Sequence, residues 1–118
     1  MAFPCNQFGG QEPGTNDEIL AFASSHGFPD PLHTEGFRMF AKTHVNGPLT
    51  VPVWSFLKNS KVGKGHDIRW NYAKFLVGAD GVPVKKYDAP FDLKKIARDV
   101  EDALQALSDV KEEYDSGF

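Results

Sequence analysis

The run Phe3-Pro4-Cys5-Asn6-Gln7-Phe8-Gly9-Gly10-Gln11-Glu12-Pro13-Gly14 mixes aromatic, amide and turn-forming residues in a way that packing alone seldom assembles, and it reads as a site loop. Before it, Met1-Ala2-Phe3 resembles the tail of a buried strand, which Pro4 closes by removing a ladder donor. After it, Thr15-Asn16-Asp17-Glu18 is a capping box: the Thr15 hydroxyl can accept from the Glu18 amide while the Glu18 carboxylate reaches back to the cap. A helix is predicted to start there and to send Ile19, Leu20, Phe22 and Ala23 into the core. It should end near Gly27, which suits the left-handed position just past a helix.

Farther along, Phe28 to Leu32 holds two prolines and cannot be regular; it leads into Phe37-Arg38-Met39-Phe40, a short extended or turn segment. Pro52 fits the first turn of a second helix, with Val53, Phe56 and Leu57 spaced for burial. Asn59 to Asp67, rich in glycine, lysine and histidine, is expected to be a flexible exposed loop. Phe75-Leu76-Val77 and Val82-Pro83-Val84 flank Gly78-Ala79-Asp80-Gly81, the pattern of a β-hairpin whose second strand Pro83 places near an edge. Leu93, Ile96, Ala97, Val100, Leu104 and Leu107 form one apolar stripe on a helix capped by Asp92. The acidic residues after Ser108 are expected to fray.

The 118 residues, 41% hydrophobic and 25% charged, suit one domain with one core, residues 1–118. A formal charge of -3 without a basic stripe argues against nucleic acid as a partner. No uninterrupted apolar run approaches the roughly 18 residues that a membrane helix needs, so stable membrane insertion is not expected. Cys5 is the sole cysteine, which excludes an internal disulfide and any metal site built on paired thiolates. The four histidines, His26, His33, His44 and His66, share no metal-ligand spacing, and no cofactor is expected. A reducing, cytoplasmic setting is the expectation for localisation.

Phe3 to Gly9 resembles the first signature of the glutathione peroxidase family, and Trp70-Asn71-Tyr72-Ala73-Lys74-Phe75-Leu76-Val77 resembles the second. Between them, Val45-Asn46-Gly47 and Pro52-Val53-Trp54-Ser55-Phe56-Leu57-Lys58 are similar to the family's linking segments, so the resemblance runs from residue 1 to about Leu107. It implies an α/β, thioredoxin-like fold of glutathione peroxidase type that lacks the family's first strand and helix. It also implies reduction of hydrogen peroxide and organic hydroperoxides by a thiol reductant, glutathione or thioredoxin. The short Asn59 to Asp67 stretch resembles the monomeric, plant-like and phospholipid-type branch, so a monomer is expected. The family's peroxide-attacking cysteine or selenocysteine sits on a strand-to-helix turn upstream of Phe3, so the chain is expected to be truncated at its amino end. The competing reading is a non-catalytic, thioredoxin-like remnant that binds a partner.

Peroxide reduction by a thiolate or selenolate needs stabilisation of the anionic nucleophile and of the departing alkoxide, which neutral donors supply without burying a cation. The resemblance assigns this role to the side-chain amide of Gln11, the indole N–H of Trp70 and the amide of Asn71. Taken singly, a loop Gln is ordinarily solvated, a Trp is ordinarily core and an Asn beside an aromatic is ordinarily a turn former. Trp70 and Asn71 are adjacent, and adjacent strand residues face opposite ways, so convergence requires a non-ideal segment before the hairpin. Cys5 aligns with the family's own loop cysteine and is read as structural, and Ala23-Ser24-Ser25 holds no resolving thiol. Lys85-Lys86 could attract a glutathione carboxylate or serve solubility, and Asp88 departs from the glycine or serine frequent in the family.

Overall fold

The computed structural model describes residues 1–30 and 34–117. Its chain divides into two compact units, Met1–Phe56 and Leu57–Phe118. The elements are α1 (Asn16–Ser25), α2 (Pro52–Asn59), β1 (Lys74–Val77), β2 (Pro83–Tyr87) and α3 (Leu93–Ser116), the order of helix, helix, hairpin and helix read from the sequence.

In the first unit the capping box forms in both directions: the Glu18 amide donates to Thr15 Oγ1 (3.2 Å) and the Thr15 amide donates to the Glu18 carboxylate (3.4 Å). At the other end of α1, Gly27 takes a φ of 85° and donates to the Ser24 carbonyl while Phe28 donates to Ala23, a Schellman closure that only a residue at ease with positive φ accepts cheaply. Ile19 and Ala23 are buried as expected, with Phe8, Val45 and Trp54. Phe22 is not: it is exposed and stacks on the His26 ring (4.1 Å), because the wide stripe read from the sequence exceeds the arc that a single packed neighbour covers. The expected opening strand reduces to one parallel bridge, Ala2 to Met39, with the Ala2 amide donating to Arg38 O and its carbonyl accepting from Phe40 (both 2.8 Å). Phe3 stacks on Phe40 and meets Trp54 edge-on, so packing of rings, rather than a ladder, holds this entry. The irregular Phe28 to Leu32 stretch lies partly, and His33 wholly, outside the described residues.

Helix α2 buries Trp54 and Leu57, whereas Phe56, expected inside, is exposed. In the second unit the Asn59 to Asp67 segment is exposed at most positions, as expected, and is tied to the end of α2 by hydrogen bonds. Ser60 Oγ donates to the Leu57 carbonyl (2.6 Å) and accepts from the Gly63 amide (3.2 Å), Gly65 donates to the Lys58 carbonyl (2.7 Å), and Lys58 pairs with Asp67 (3.2 Å). These bonds satisfy the carbonyls left open at the end of α2, which sequence composition alone does not reveal. Ile68 is buried in the same unit.

Strands β1 and β2 pair antiparallel, Phe75 opposite Lys86 and Leu76 opposite Lys85, with the register slipping between Leu76 and Val77. Pro83 begins β2, a place where its missing N–H costs no ladder bond. The turn closes through Gly78, which donates to Val82 O (2.9 Å), and through Asp80, whose carboxylate accepts from the Val82 amide (3.1 Å). Helix α3 starts on the Asp92 cap as read from the sequence, but it continues to Ser116 instead of fraying at Ser108. No residue of α3 is fully buried; Ile96, Asp99 and Ala103 are half-buried, and Leu93, Leu104 and Leu107 are exposed.

Tyr87 Oη donates to the Asp99 carboxylate of α3 (2.7 Å). Burial first, and then this bond and the charge of Asp99, push the phenol up from its usual 10.0 to about 12. The neutral phenol is the form that the fold favours, so its contribution is fully present below the unfolded value and is lost as pH rises from about 10 towards 12. Absorbance titration of tyrosinate should show one late-titrating phenol that Tyr87→Phe removes; loss of an early-titrating phenol instead would contradict the assignment.

Candidate functional site

In the first unit the site loop is held by two side chains that the sequence reading did not single out. Gln7 Oε1 accepts from the Val45 amide (2.8 Å), the Asn46 amide (3.1 Å) and the Cys5 thiol (3.4 Å), while Gln7 Nε2 donates to Asn46 O (2.8 Å) and lies 3.2 Å from His44 Nδ1. One amide thereby ties the loop to a segment nearly forty residues away. Lys42 Nζ donates to the carbonyls of Glu12 (3.1 Å) and Gly14 (2.6 Å), fixing the far end of the loop, and the Lys42 amide donates to Asn16 Oδ1 (2.9 Å). Asn6 Oδ1 accepts from the Glu12 amide (2.9 Å), drawing the two ends of the run together. Gly9 and Gly10 turn between them at φ 71° and 60°. Phe8 points inward and is buried, and Gln11 stands exposed beyond the glycines.

Asn6, Gln7, Lys42, Thr43 and His44 line a hollow of about 330 Å³ in this unit. Cys5 is half-buried and acts as a thiol donor to an amide oxygen. His44 and His26 are exposed and are engaged locally, by Gln7 and by Phe22 and Ser25, and no group of three His, Cys, Asp or Glu among the described residues could hold a metal ion.

Removing the Gln7 amide strands the donors of Val45 and Asn46, of which Val45 is buried, at a cost of about 1–3 kcal/mol. Gln7→Ala is therefore expected to speed modification of Cys5 by an aromatic disulfide reagent by about tenfold through local opening of the loop. An unchanged rate would mean that Gln7 does not hold the loop shut.

In the second unit Arg69, Trp70, Asn71, Asp88 and Ala89 line a second hollow, about 180 Å³. Trp70 and Asn71 precede β1 in a turn, and Tyr72 follows at φ 65°, a left-handed value that a bulky residue rarely takes. The non-ideal segment required for adjacent side chains to face one place is therefore present, and both reach the same hollow. Lys74 Nζ donates to the Tyr72 carbonyl (2.8 Å) and sits 3.9 Å over the Phe91 ring, so a cation braces the strained residue from behind; burial holds this ammonium below its usual value. Asp88, at the position that departs from the family pattern, pairs with Lys86 (3.3 Å) and puts a carboxylate on the rim of the hollow. Lys86 is thus engaged, while Lys85 is exposed on the opposite face of β2. Gln11 belongs to the first unit and Trp70 and Asn71 to the second, and each is described within its own unit.

The family model described as glutathione peroxidase matches residues 1–58. Glutathione peroxidase 2 of Caenorhabditis elegans is 44% identical over 107 residues, 90% of this chain and 62% of that protein. The probable phospholipid hydroperoxide glutathione peroxidase 6, mitochondrial, of Arabidopsis thaliana is 45% identical over 105 residues, 88% of this chain and 43% of its own length. The apo crystal structure of Trgpx superposes with a TM-score of 0.59 at 28% identity, over 87% of this chain and 55% of that one. The chain spans roughly half the length of the curated relatives it matches. No helix among the described residues is long and apolar enough to cross a membrane.

Proposed function

We propose, from the premise that this chain belongs to the glutathione peroxidase family and has its α/β, thioredoxin-like fold, that it contributes the donor residues of a centre that reduces hydrogen peroxide and organic hydroperoxides with a thiol. In that reaction a thiolate or selenolate attacks one peroxide oxygen, the O–O bond breaks, and the departing alkoxide takes a proton to leave as water or alcohol. The oxidised sulfur or selenium is then reduced by two thiols, which leave as a disulfide with release of water.

Gln11, Trp70 and Asn71 are the proposed donors: neutral N–H groups that favour the anionic nucleophile and the charge building on the leaving oxygen without needing to be desolvated as ions. The observation that supports this reading is that Trp70 and Asn71, consecutive residues in a turn ahead of β1 rather than in a strand, both line one hollow. Cys5 is not the proposed nucleophile, because its thiol is spent as a donor inside the Gln7 clamp. The nucleophile is a cysteine or selenocysteine on a strand-to-helix turn of the family's kind. Glutathione and thioredoxin are the candidate reductants, and the reaction calls for no metal.

The test is to join the chain behind a strand, Cys-bearing turn and helix of the family's type and to follow thiol-dependent loss of hydrogen peroxide and of an organic hydroperoxide, with each reductant in turn. Turnover in the joined protein and none above a free surface thiol in the unjoined chain is the expected result. Turnover in the unjoined chain that Cys5→Ser abolishes would replace the reading with one in which Cys5 attacks.

A further inference from the structure

The hollow of the second unit is lined by residues of both charges, Arg69 and Asp88, beside Trp70, Asn71 and Ala89. A centre that stabilises an anionic nucleophile and a departing alkoxide is helped by positive potential and opposed by negative. The Asp88 carboxylate therefore works against the chemistry proposed for Trp70 and Asn71, and its place on the rim calls for a different role.

That role follows from Lys86. Asp88 comes just after the end of β2, two positions beyond Lys86, which puts both side chains on one face, and they pair at 3.3 Å. Neither is loose: the Lys86 side chain is 13% exposed and that of Asp88 30%. Lys86 stands opposite Phe75 in the hairpin with its ammonium 6.0 Å from the centre of that ring, so packing as well as charge holds it in place. A half-buried pair of this kind is screened by salt less than one in open solvent. With Asp88 present, a thiol approaching Trp70 and Asn71 meets a carboxylate and a neutralised Lys86 where it would otherwise meet two cations, Arg69 and Lys86.

We propose that Asp88 is a specificity-determining residue, which repels anionic thiols from the hollow of Trp70 and Asn71 and so selects a reductant without net negative charge. Glutathione, an anion at neutral pH, is then a poorer reductant than an uncharged thiol of similar reactivity. The inference rests on the reading of Trp70 and Asn71 as donors of the peroxide-reducing centre. The charge at the hollow, however, is measurable apart from that reading.

Quenching of tryptophan fluorescence in the full chain reads that charge, because Trp70 is 52% exposed at the hollow while Trp54 is buried. Asp88→Asn should raise quenching by iodide about twofold at low salt and leave quenching by uncharged acrylamide as it was, and the gain should fade at high salt. Lys86→Gln, which leaves Asp88 without its cation, should move iodide quenching the opposite way, whereas loosened structure would raise both quenchers in both variants. In the chain joined behind a family-type strand, Cys-bearing turn and helix, Asp88→Asn should raise kcat/KM for glutathione about tenfold relative to that for uncharged dithiothreitol, chiefly through KM. Asp88→Glu should keep the parent's ratio. Iodide quenching that Asp88→Asn does not raise, or that merely follows acrylamide, would overturn the proposal, as would an unchanged ratio in an active joined protein. Failure of the donor reading looks different: a joined protein inactive with charged and uncharged thiols alike, in a chain whose iodide quenching still answers to Asp88.

Discussion

Replacing Asn71 with alanine, in the chain joined behind a family-type strand, Cys-bearing turn and helix, is expected to cut hydroperoxide turnover by about ten- to a thousand-fold, the range that accompanies loss of one preorganised donor. Gln11→Ala should fall in the same range, while Cys5→Ser should leave turnover within about twofold. The reasoning separates chemistry from scaffolding. Asn71 is half-buried in a turn already fixed by Tyr72 and Lys74, so truncating its amide removes a donor from the hollow while the backbone keeps its other restraints. Gln11 stands past Gly9 and Gly10 on a loop whose anchors are Gln7 and Lys42. Cys5 lies on the anchored side of that loop. If Asn71→Ala and Gln11→Ala cost nothing and Cys5→Ser costs most of the activity, the donor assignment is wrong. A drop confined to the KM for the thiol would instead place these amides in reductant binding.

The order of elements was legible because each carries a local chemical signal. Thr15 and Glu18 announce α1, Pro52 begins α2, glycines and Asp80 mark the hairpin turn, and Asp92 caps α3. What the sequence hid depends on partners distant along the chain. Phe22 and Phe56 have the periodicity of core residues, yet which part of an apolar arc is covered is decided by neighbours that periodicity does not name. Gln7 stands inside the very run that announces the site, but its role rests on Val45 and Asn46, and nothing in the spacing of an amide within a loop identifies such partners. The turn at Trp70 and Asn71 was legible in outline, since two adjacent residues meant for one place imply a break in the strand; that Tyr72 supplies the left-handed step was not, because an aromatic is a poor candidate for positive φ.

Gly63→Val is expected to destabilise the chain by about 3 kcal/mol or more. Gly63 is buried in the turn after α2, and a Cβ built on it falls against the carbonyls of Leu57 and Lys58 well inside van der Waals contact. Both obstacles are backbone atoms of a helix end that is itself tied by Ser60 and Gly65, so neither can swing aside as a side chain would. Overpacking of this kind typically costs about 1–3 kcal/mol, and a branched side chain against fixed backbone belongs at or above the upper end. The margin available to absorb it is small. The buried hydrophobic residues among those described are Phe8, Ile19, Ala23, Val45, Trp54, Leu57 and Ile68, and none of the large side chains is fully sealed from solvent. With the whole of α3 contributing no buried residue, net stability should lie at or below the low end of the roughly 5–15 kcal/mol usual for domains. At that margin a loss of about 3 kcal/mol raises the unfolded population by more than a hundredfold. Far-UV dichroism and urea titration of Gly63→Val beside Lys61→Ala, an exposed neighbour in the same turn, make the comparison. The valine variant should unfold at a much lower urea concentration, with a loss of about 3 kcal/mol or more, and the alanine variant should match the parent within about 0.5 kcal/mol. A valine variant with the parent's midpoint would mean that the turn relaxes away from α2 and that its hydrogen bonds to Leu57 and Lys58 do not hold the second unit together.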